Sequence, residues 1–426
     1  MSQPLFPRRR AEEFRDRNRG GVPAKILEEA AVIVERVRSG GEEALREYTT
    51  RFEDCAPDEP LYLTAEILRS HLEEVPGDER DRIERIADRI RTFAQSQRAA
   101  LAPVDTIVTS GRAGHRIDPV EAAGCYAPGG RYPLPSSVLM TVVTARVAGV
   151  RSVWVASPSP APITLAAAAV AGADGVLAAG GAHAIAALAF GVGPIPPSDV
   201  VVGPGNLYVT AAKQLLAGEV EIDMLAGPSE LVIVADASAD PAWVAADLLA
   251  QAEHDPDAMP ILISIDAELP SWVEREIERQ LEDLPTASTA RAALANGGVI
   301  VCETEEEACL ACDTIAPEHL HLSVLNPQAW PDRLHHYGAL FIGWRAAEVF
   351  GDYGVGPNHV LPTGGTARAR GGLSVMDFLR VRTWIRADSD PDPDLIEDVA
   401  WFARREGLEA HARAAEIRRG PGEPHS

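Results

Sequence analysis

The second half of the chain carries side chains that commonly bind metals or move protons, at several separate places. Glu318 and His319 are neighbours, and a carboxylate next to an imidazole provides two proton carriers whose pKa values a site can move apart. Imidazole, carboxylate and amide groups are also ligands that zinc accepts. The candidate ligands of this kind are Gln251, His254, Asp352 and His411. The combination predicts a metal-dependent enzyme site beside an acid/base pair.

Gln251 and His254 are predicted to lie near the end of one helix. Asp240 followed by Pro241 favours a helix start, because a short acceptor side chain and then a proline suit the first turn. Residues three apart near the end of that helix project from one face, so the pair can hold one metal ion. An ordinary polar pair on the surface explains the same pattern, and the pair alone does not establish a metal site.

Glu318 and His319 follow a predicted helix and precede a predicted strand. Active residues of α/β proteins usually lie at the carboxyl edge of a sheet or in the loop beside it, and we expect the pair there. An ordinary ion pair in a loop fits the dipeptide equally well. Residues 351–365 contain too many Gly, Pro and Asn residues for a regular element. They predict a long loop, which is either ordered and functional or a flexible linker.

Composition limits the classes of function that the chain can have. Its 426 residues exceed one ordinary core and favour two domains or one domain with substantial appendages. With 39 basic and 63 acidic residues, the net charge of -24 argues against nucleic acid and anionic membranes as partners. The sequence has neither a long apolar segment nor an apolar leader, so we expect a cytoplasmic protein. Five cysteines over so long a chain predict reduced thiols.

The order of apolar segments predicts an α/β fold of two lobes with parallel-type sheets. Residues 11–100 have helical patterns, and from about residue 118 short apolar runs alternate with alanine-rich helices, as in βα units. After Arg386 we expect a loop rich in Asp and Pro and then a single helix from Leu395 to Arg418. The predicted divisions are a larger α/β domain of residues 1–117 and 238–385 with the N-terminal helices, a second lobe of residues 118–237, and a C-terminal tail of residues 386–426.

Two loops that contain glycine precede predicted helices, at 179–183 and at 202–206. Glycine lets backbone amides approach a phosphate, and a helix N-terminus favours an anion. Neither loop has the G-x-G-x-x-G spacing of a dinucleotide-binding strand and turn. Two interpretations therefore remain open: a nucleotide site at these loops, or ordinary turn glycines.

Nine stretches of the chain resemble the histidinol dehydrogenase family, in the family's order, from about residue 30 to about residue 418. They are Gly124–Gly130, Pro135–Met140, Gly180–Ala182, Gly203–Asn206, Ala226–Glu230, Gln251–His254, Ala316–Leu320, Gly351–Gly365 and Glu406–His411. So many matches in one order are hard to obtain by chance.

The resemblance implies a zinc-dependent oxidoreductase that converts L-histidinol to L-histidine by two successive oxidations with NAD. One zinc ion per subunit would be held by Gln251, His254, Asp352 and His411. In the family the last of these ligands reaches the site of the partner subunit, so an intertwined homodimer is implied. The metal is thought to anchor the substrate through its imidazole and amine.

The resemblance also implies roles for the remaining residues. His319 would act as general base in both oxidations, and Glu318 would activate the water that attacks the aldehyde. The lobe at 118–237 would be an incomplete Rossmann-like, NAD-binding domain, and the tail at 386–426 would reach the partner subunit. The implied NAD contacts are Tyr126, His183 and Asn206. The implied substrate contacts are Ser229, Gln251, His254, His319, Asp352, Glu406 and His411.

Some positions depart from the family's usual pattern. Position 183 is usually Gln in histidinol dehydrogenases and is His here, so the cofactor contact at that position differs. The stretches 130–134 and 142–145 are similar to the sulfopropanediol dehydrogenase branch, which keeps the zinc ligands but oxidises another small alcohol. The stretches 136–140 and 372–375 favour the histidinol enzymes. A catalytically silent metal-binding partner protein is a further alternative, against which the intact Glu318 and His319 pair argues.

Overall fold

The computed structural model describes residues 5–17, 21–56, 59–129 and 133–419. Two predictions fall partly outside the described residues. They concern residues 130–132 of the stretch that is similar to the sulfopropanediol dehydrogenase branch and residues 420–426 of the predicted tail. The chain forms two compact units, one of Met1–Ser96 with Val120–Phe378 and one of Gln97–Pro119 with Leu379–Ser426. Within the described ranges, no helix is both long and apolar enough to span a membrane.

The strands and helices follow in chain order. The strands are β1 (Tyr62–Thr64), β2 (Val104–Val108), β3 (Gly111–Pro119), β4 (Ala122–Tyr126), β5 (Ser152–Ala156), β6 (Gly175–Leu177), β7 (Val200–Val202), β8 (Glu221–Ile222), β9 (Glu230–Ala235), β10 (Met259–Ser264), β11 (Gly298–Val301), β12 (His319–Ser323), β13 (Ala339–Ile342) and β14 (Leu379–Ala387). The helices are α1 (Ala11–Arg17), α2 (Ala24–Arg51), α3 (Ala65–Glu74), α4 (Gly77–Ala99), α5 (Pro135–Ala148), α6 (Pro162–Ala171), α7 (Gly181–Phe190), α8 (Leu207–Leu216), α9 (Pro241–Ala252), α10 (Leu269–Leu281), α11 (Ala287–Asn296), α12 (Glu305–Ile315), α13 (Glu348–Tyr353), α14 (Pro393–Arg405) and α15 (Glu409–Glu416).

The first sheet of the larger unit has six strands in the order β1-β6-β5-β4-β7-β8. Its strands pair in parallel, except that β1 is antiparallel to β6. Strands β4, β6 and β7 are buried along their whole length, as expected for a parallel sheet covered by helices. Side chains of α2, α7 and α8 share one apolar core with this sheet.

The second sheet has five parallel strands in the order β11-β10-β9-β12-β13. Its central strands β9, β10 and β12 are fully buried. One apolar core contains side chains of α9, α10 and α11, and another contains side chains of α1 and α12. The two parallel sheets and the N-terminal helices confirm the predicted fold class.

Two strands pair in a sheet outside the predicted lobe in which they lie. Strand β9 belongs to the five-stranded sheet although it precedes the predicted boundary at 237, and β1 belongs to the six-stranded sheet although it lies in the other predicted domain. A short β1 was recognisable only as a loop or strand, because its pairing partner β6 lies more than one hundred positions further along the sequence. The predicted domain limits themselves stay a proposal.

The smaller unit contains a three-stranded antiparallel sheet, β14-β3-β2, that the sequence did not predict. Strand β2 is exposed throughout, and β14 carries Arg380, Arg382 and Arg386. A sheet with so little burial gives no apolar run to recognise. The unit also contains α14 and α15, which bury Ala400, Ala403 and Ala412 together.

The prediction of a single helix from Leu395 to Arg418 was wrong. Helix α14 ends at Arg405 and α15 begins at Glu409. Between them Gly407 has φ of 77°, in the left-handed region that ends helices at glycine. The backbone N–H of Leu408 donates to the Ala403 carbonyl, which closes the end of the first helix.

Residues 327–333 contain two short 3-10 turns, because Pro327 and Pro331 each start a turn and cannot donate within a longer helix. One further element prediction differs from the structure. The predicted loop of residues 351–365 begins inside α13, which ends at Tyr353. The remainder of that loop is ordered around buried Val360 and Leu361.

Candidate active site

A cavity of about 460 Å³ in the larger unit collects most of the residues that the sequence suggested for chemistry. Its lining includes Ser229, Gln251, His254, Glu318, His319 and Asp352. It also includes Asn206 and the Gly205 loop, which follow the carboxyl end of β7 in the six-stranded sheet. The predicted substrate and metal residues of this unit therefore face one cavity, together with one predicted cofactor residue.

The expected position of Glu318 and His319 at the carboxyl edge of a sheet was wrong. His319 is the first residue of β12, so the pair lies at the amino edge of the five-stranded sheet. Helix α12 ends at Ile315, the next residue Ala316 has a left-handed φ of 54°, and the chain enters β12 three residues after Ala316. A connection that runs from a helix into the following strand always reaches that strand at its amino end.

Three imidazoles surround the carboxylate of Asp352. The Asp352 Oδ2 atom lies 4.0 Å from His254 Nε2, and Oδ1 lies 3.9 Å from His319 Nε2 and 3.9 Å from His359 Nδ1. These distances are too long for hydrogen bonds. The Asp352 carboxylate therefore makes no hydrogen bond to any of the three imidazoles. Such spacing is expected around a position that a cation or a substrate group would fill.

The donor set in this cavity fits a zinc ion. Bonds from zinc are about 2.0–2.1 Å to imidazole nitrogen and about 2.0–2.2 Å to carboxylate oxygen, so one ion can bridge the 4.0 Å gap between His254 and Asp352. Gln251 is buried, and its Nε2 atom has no hydrogen-bond partner among the described residues. A zinc ion would bind Gln251 through its amide oxygen, and Gln251 lines the same cavity as the other two residues. His, Cys, Asp and Glu side chains alone form no cluster of three for a metal in the described part of the chain.

His319 is held as a neutral base. Its Nδ1 atom lies 3.1 Å from the backbone carbonyl of Glu230, which can only accept, so Nδ1 carries the proton. The Nε2 atom on the Asp352 side is then unprotonated. Burial lowers the pKa of His319, while the charge of Asp352 opposes that change. A neutral imidazole with an exposed lone pair can take a proton from an alcohol.

Glu318 lies beside a second buried carboxyl group. One of its oxygens, Oε2, accepts a hydrogen bond of 2.9 Å from the backbone N–H of Glu230 and is 3.7 Å from His319 Nδ1. Burial raises the pKa of Glu318 well above its usual range; the hydrogen bond from Glu230 opposes this, and the charges of Glu230 and Asp352 add to it. A carboxylate with a raised pKa is a stronger base than an exposed one, which suits the activation of water.

Glu230→Gln is expected to change how stability depends on pH. Burial raises the pKa of Glu230 from 4.5 to about 7, so between these pH values the folded protein holds a proton that the unfolded chain releases. Stability is therefore lost as the pH rises through this window, and a neutral glutamine avoids the loss. Above pH 8 the variant should gain roughly 3 kcal/mol over the wild type, and near pH 4 the two should be equal.

Urea unfolding at pH 4.5, 6 and 8 measures this difference. The Glu230 Oε1 atom accepts a hydrogen bond of 2.8 Å from the Gly364 N–H, and the amide oxygen of glutamine can accept the same bond. The substitution therefore changes charge with little change of contact. Equal stability differences at all three pH values would contradict the expectation.

His359 and Ser137 face the same cavity and were not predicted as site residues. The Ser137 hydroxyl lies 3.4 Å from His359 Nε2, and His359 Nδ1 lies 3.1 Å from the Asp352 carbonyl. Burial lowers the pKa of His359. His359 lies in the loop of residues 351–365. The sequence indicated a functional loop there as one interpretation but did not single out His359.

A second cavity of about 630 Å³ lies beside α2, α7 and α8. Asn206 lines both cavities, and its side chain caps α8 by accepting from the N–H groups of Tyr208 and Val209. His183 also lines the second cavity. Tyr126 is buried at the end of β4, and its hydroxyl accepts from the Gly181 N–H at 3.2 Å. A space of this size beside helix starts can hold part of a dinucleotide.

The two glycine loops use their backbone amides within the protein. The Gly180 N–H donates to Asp54 at 2.8 Å, and the Gly203 N–H donates to Asp223 at 2.6 Å. A Cβ atom on Gly203 would lie 2.1 Å from the Tyr126 carbonyl oxygen, so this position requires glycine for packing. Asp223 also pairs with buried Lys213. The structure thus favours ordinary turn glycines over a phosphate cradle at these amides.

Glu406 and His411 belong to the smaller unit. Glu406 follows α14 and His411 lies on α15, and both line a cavity of about 300 Å³ in that unit. The smaller unit by itself brings these two predicted residues together. The roles of all the predicted site residues stay predictions.

The fold and the site define the class of the protein, an α/β enzyme with an acid/base site between the edges of two parallel sheets. The family model for histidinol dehydrogenase matches residues 17–419. The chain belongs to the histidinol dehydrogenase family and is an oxidoreductase. The resemblance drawn from the sequence is therefore confirmed.

Several relatives cover almost the whole chain. The histidinol dehydrogenase of Thermus thermophilus is 47% identical over 388 residues, which are 91% of this chain and 93% of that protein. The histidinol dehydrogenase of Caulobacter vibrioides is 43% identical over 416 residues, 96% of each chain. A crystal structure of histidinol dehydrogenase from Elizabethkingia anophelis aligns with a TM-score of 0.90 at 31% identity, covering 98% of this chain and 99% of that one.

Proposed function

We propose that the protein oxidises L-histidinol to L-histidine in two successive steps through the aldehyde, with NAD as hydride acceptor and zinc as resident metal. The observation that carries the substrate assignment is the family match over residues 17–419. The overall reaction consumes one water and two NAD⁺ for each alcohol and releases two NADH, the carboxylate and three protons. One hydride leaves the carbinol carbon in each step.

The metal ligands in this proposal are Gln251, His254 and Asp352, with His411 of the partner subunit. Zinc in this set supplies an anchor for the imidazole and amine of the substrate. The 4.0 Å gap between His254 and Asp352 and the place of Gln251 in the lining of the same cavity support this set. A ligand from the other subunit makes the enzyme a homodimer.

His319 is the general base for the alcohol. Its Nε2 lone pair takes the hydroxyl proton while hydride leaves the same carbon, and the imidazolium that forms stays oriented by the Glu230 carbonyl. Glu318 acts at the aldehyde stage, where it takes a proton from the attacking water. His319 then takes the hydroxyl proton of the hydrated aldehyde in the second oxidation.

The other contacts follow from the two cavities. Ser229 lines the cavity of about 460 Å³ together with the proposed metal ligands of the larger unit, and Glu406 and His411 of the partner subunit would complete the substrate contacts. The cofactor occupies the cavity of about 630 Å³, where Asn206 and the position of His183 lie at its wall and Tyr126 supports the loop. Asn206 lines both cavities. The nicotinamide end of the cofactor would therefore approach the alcohol near this residue.

The experiment is a stoichiometric assay of the zinc-loaded protein with L-histidinol and excess NAD⁺. We expect two NADH and one L-histidine for each histidinol consumed. NADH formation that is absent at every pH from neutral to alkaline would rule out the proposal and favour a silent metal-binding protein. Faster oxidation of a sulfonated propanediol would assign the chain to the other branch.

A further inference from the structure

His183 is not available to a ligand in this chain. Its ring packs against those of Tyr48 and Phe52, with centroids 5.9 and 5.5 Å away, and its side chain is only 2% exposed. The Nε2 atom lies 2.8 Å from Asp54 Oδ2. The Nδ1 atom is buried as well, without a hydrogen-bond partner in the described part of the chain. The imidazole therefore has no atom that faces the cavity for a hydrogen bond.

Asp54 is the group that His183 holds in the wall of the cavity. The same Oδ2 atom accepts from His183 Nε2 and from the Gly180 N–H, each at 2.8 Å. The Asp54 carbonyl accepts from the Ser159 N–H at 2.8 Å, so the backbone is fixed too. The Asp54 side chain is 12% exposed, more than that of His183. The polar group presented at this place is thus a carboxylate.

Charges around the cavity are mostly negative. Glu29 lines it and accepts a hydrogen bond from the Tyr208 hydroxyl, and Asp54 lies on the other wall. Arg51 is the positive side chain in the described lining, and it is exposed with its guanidinium 5.6 Å from the Phe52 ring centroid. Glu29 is itself 43% exposed and pairs with Lys25 at 3.8 Å, so Asp54, which is 12% exposed, is the carboxylate whose charge solvent screens least.

We propose that Asp54 binds the hydroxyl groups of a ribose of the dinucleotide in this chain and thereby selects the unphosphorylated form, NAD over NADP. A fixed carboxylate accepts hydrogen bonds from ribose hydroxyls, and it repels a phosphate on the same ribose. In this chain the contact is made by Asp54, which His183 holds in place. This inference rests on the proposed cofactor and on its occupation of the cavity of about 630 Å³.

Calorimetric titration of the zinc-loaded protein with NAD⁺ and with NADP⁺, without alcohol substrate, tests the proposal. The wild type should bind NAD⁺ at least about thirtyfold more tightly than NADP⁺. Asp54→Asn should weaken NAD⁺ binding about tenfold, because a charged acceptor is lost, and should reduce the preference to a few-fold. Asp54→Glu should weaken NAD⁺ but keep most of the preference, since the charge remains.

Glu53→Gln is the matched control, because Glu53 is an exposed neighbour that does not line the cavity. Its two affinities should stay within twofold of the wild type. Glu29→Gln leaves the anchoring of Asp54 intact, and it should raise NADP⁺ affinity several-fold if carboxylates exclude the phosphate.

Equal binding of the two dinucleotides by the wild type overturns the proposal, and so does an unchanged preference in a folded Asp54→Asn variant. Binding of neither dinucleotide would instead contradict the cofactor assignment, and with it this inference. NADH formation from histidinol with an unchanged Asp54→Asn preference would leave the proposed function intact and remove only the role of Asp54.

Discussion

Replacing His319 with asparagine is expected to lower kcat for alcohol oxidation about a thousandfold while the protein keeps its zinc. Asparagine has no basic nitrogen, so the hydroxyl proton has no acceptor at the position of Nε2. The side chain is not among the proposed ligands, and its Nε2 atom lies 3.9 Å from Asp352. Steady-state NADH formation and metal content by mass spectrometry measure the two quantities on one preparation.

Glu318→Gln is the comparison for this variant, since it changes the neighbouring proton carrier. It should retain the first oxidation and slow the second, so that NADH per histidinol falls from two toward one in a single turnover. Turnover in His319→Asn within tenfold of the wild type would remove His319 from the role of base. A parallel loss of zinc would show that its role is structural.

The second large effect is expected from Asp352→Ala, which should lose zinc on dialysis and lose turnover with it. Asp352 is the carboxylate at the centre of three imidazoles, and alanine leaves these nitrogens without their acidic neighbour. Removing a residue that only supports a ligand costs roughly 10–100-fold in metal affinity, and removing a ligand should cost more. Competition with a chelator, read by metal content, measures the affinity.

Asp283→Asn controls for the loss of one negative charge, because Asp283 is exposed and lies after α10, outside the cavity lining. It should bind zinc as the wild type does. Activity in Asp352→Ala that returns with excess zinc would agree with a weakened site. Full zinc retention after dialysis would exclude Asp352 as a ligand.

Together the two variants separate the anchoring of substrate from the movement of protons. His319→Asn should keep the metal and lose the chemistry, whereas Asp352→Ala should lose the metal first. If both variants lost zinc to the same extent, the proposed division between the two groups of residues would fail.

The sequence predicted much of the fold because apolar periodicity is strong in buried parallel strands. Strands such as β9 and β10 are nearly continuous apolar runs, and the sequence marks such runs clearly. Strands β2, β3 and β14 were missed because they bury too little to show a pattern. Their pairing joins segments that are far apart in sequence, which local propensity cannot reveal.

The candidate site was predictable in its residues but not in its arrangement. Motifs identified Glu318, His319 and the residues that might bind a metal, yet the edge of the sheet on which they lie was predicted wrongly. His359 and the orientation of His319 by a carbonyl depend on distances that only the folded chain has. The burial of His183 behind Asp54 also follows from tertiary packing.

The hydrogen bond that orients His319 comes from main chain and not from a side chain. In sites where a carboxylate orients the base, one point mutation or one protonation event can misalign it. A peptide carbonyl neither titrates nor changes with the residue type at position 230. The alignment of the base therefore does not depend on the ionisation or the identity of the side chain at position 230.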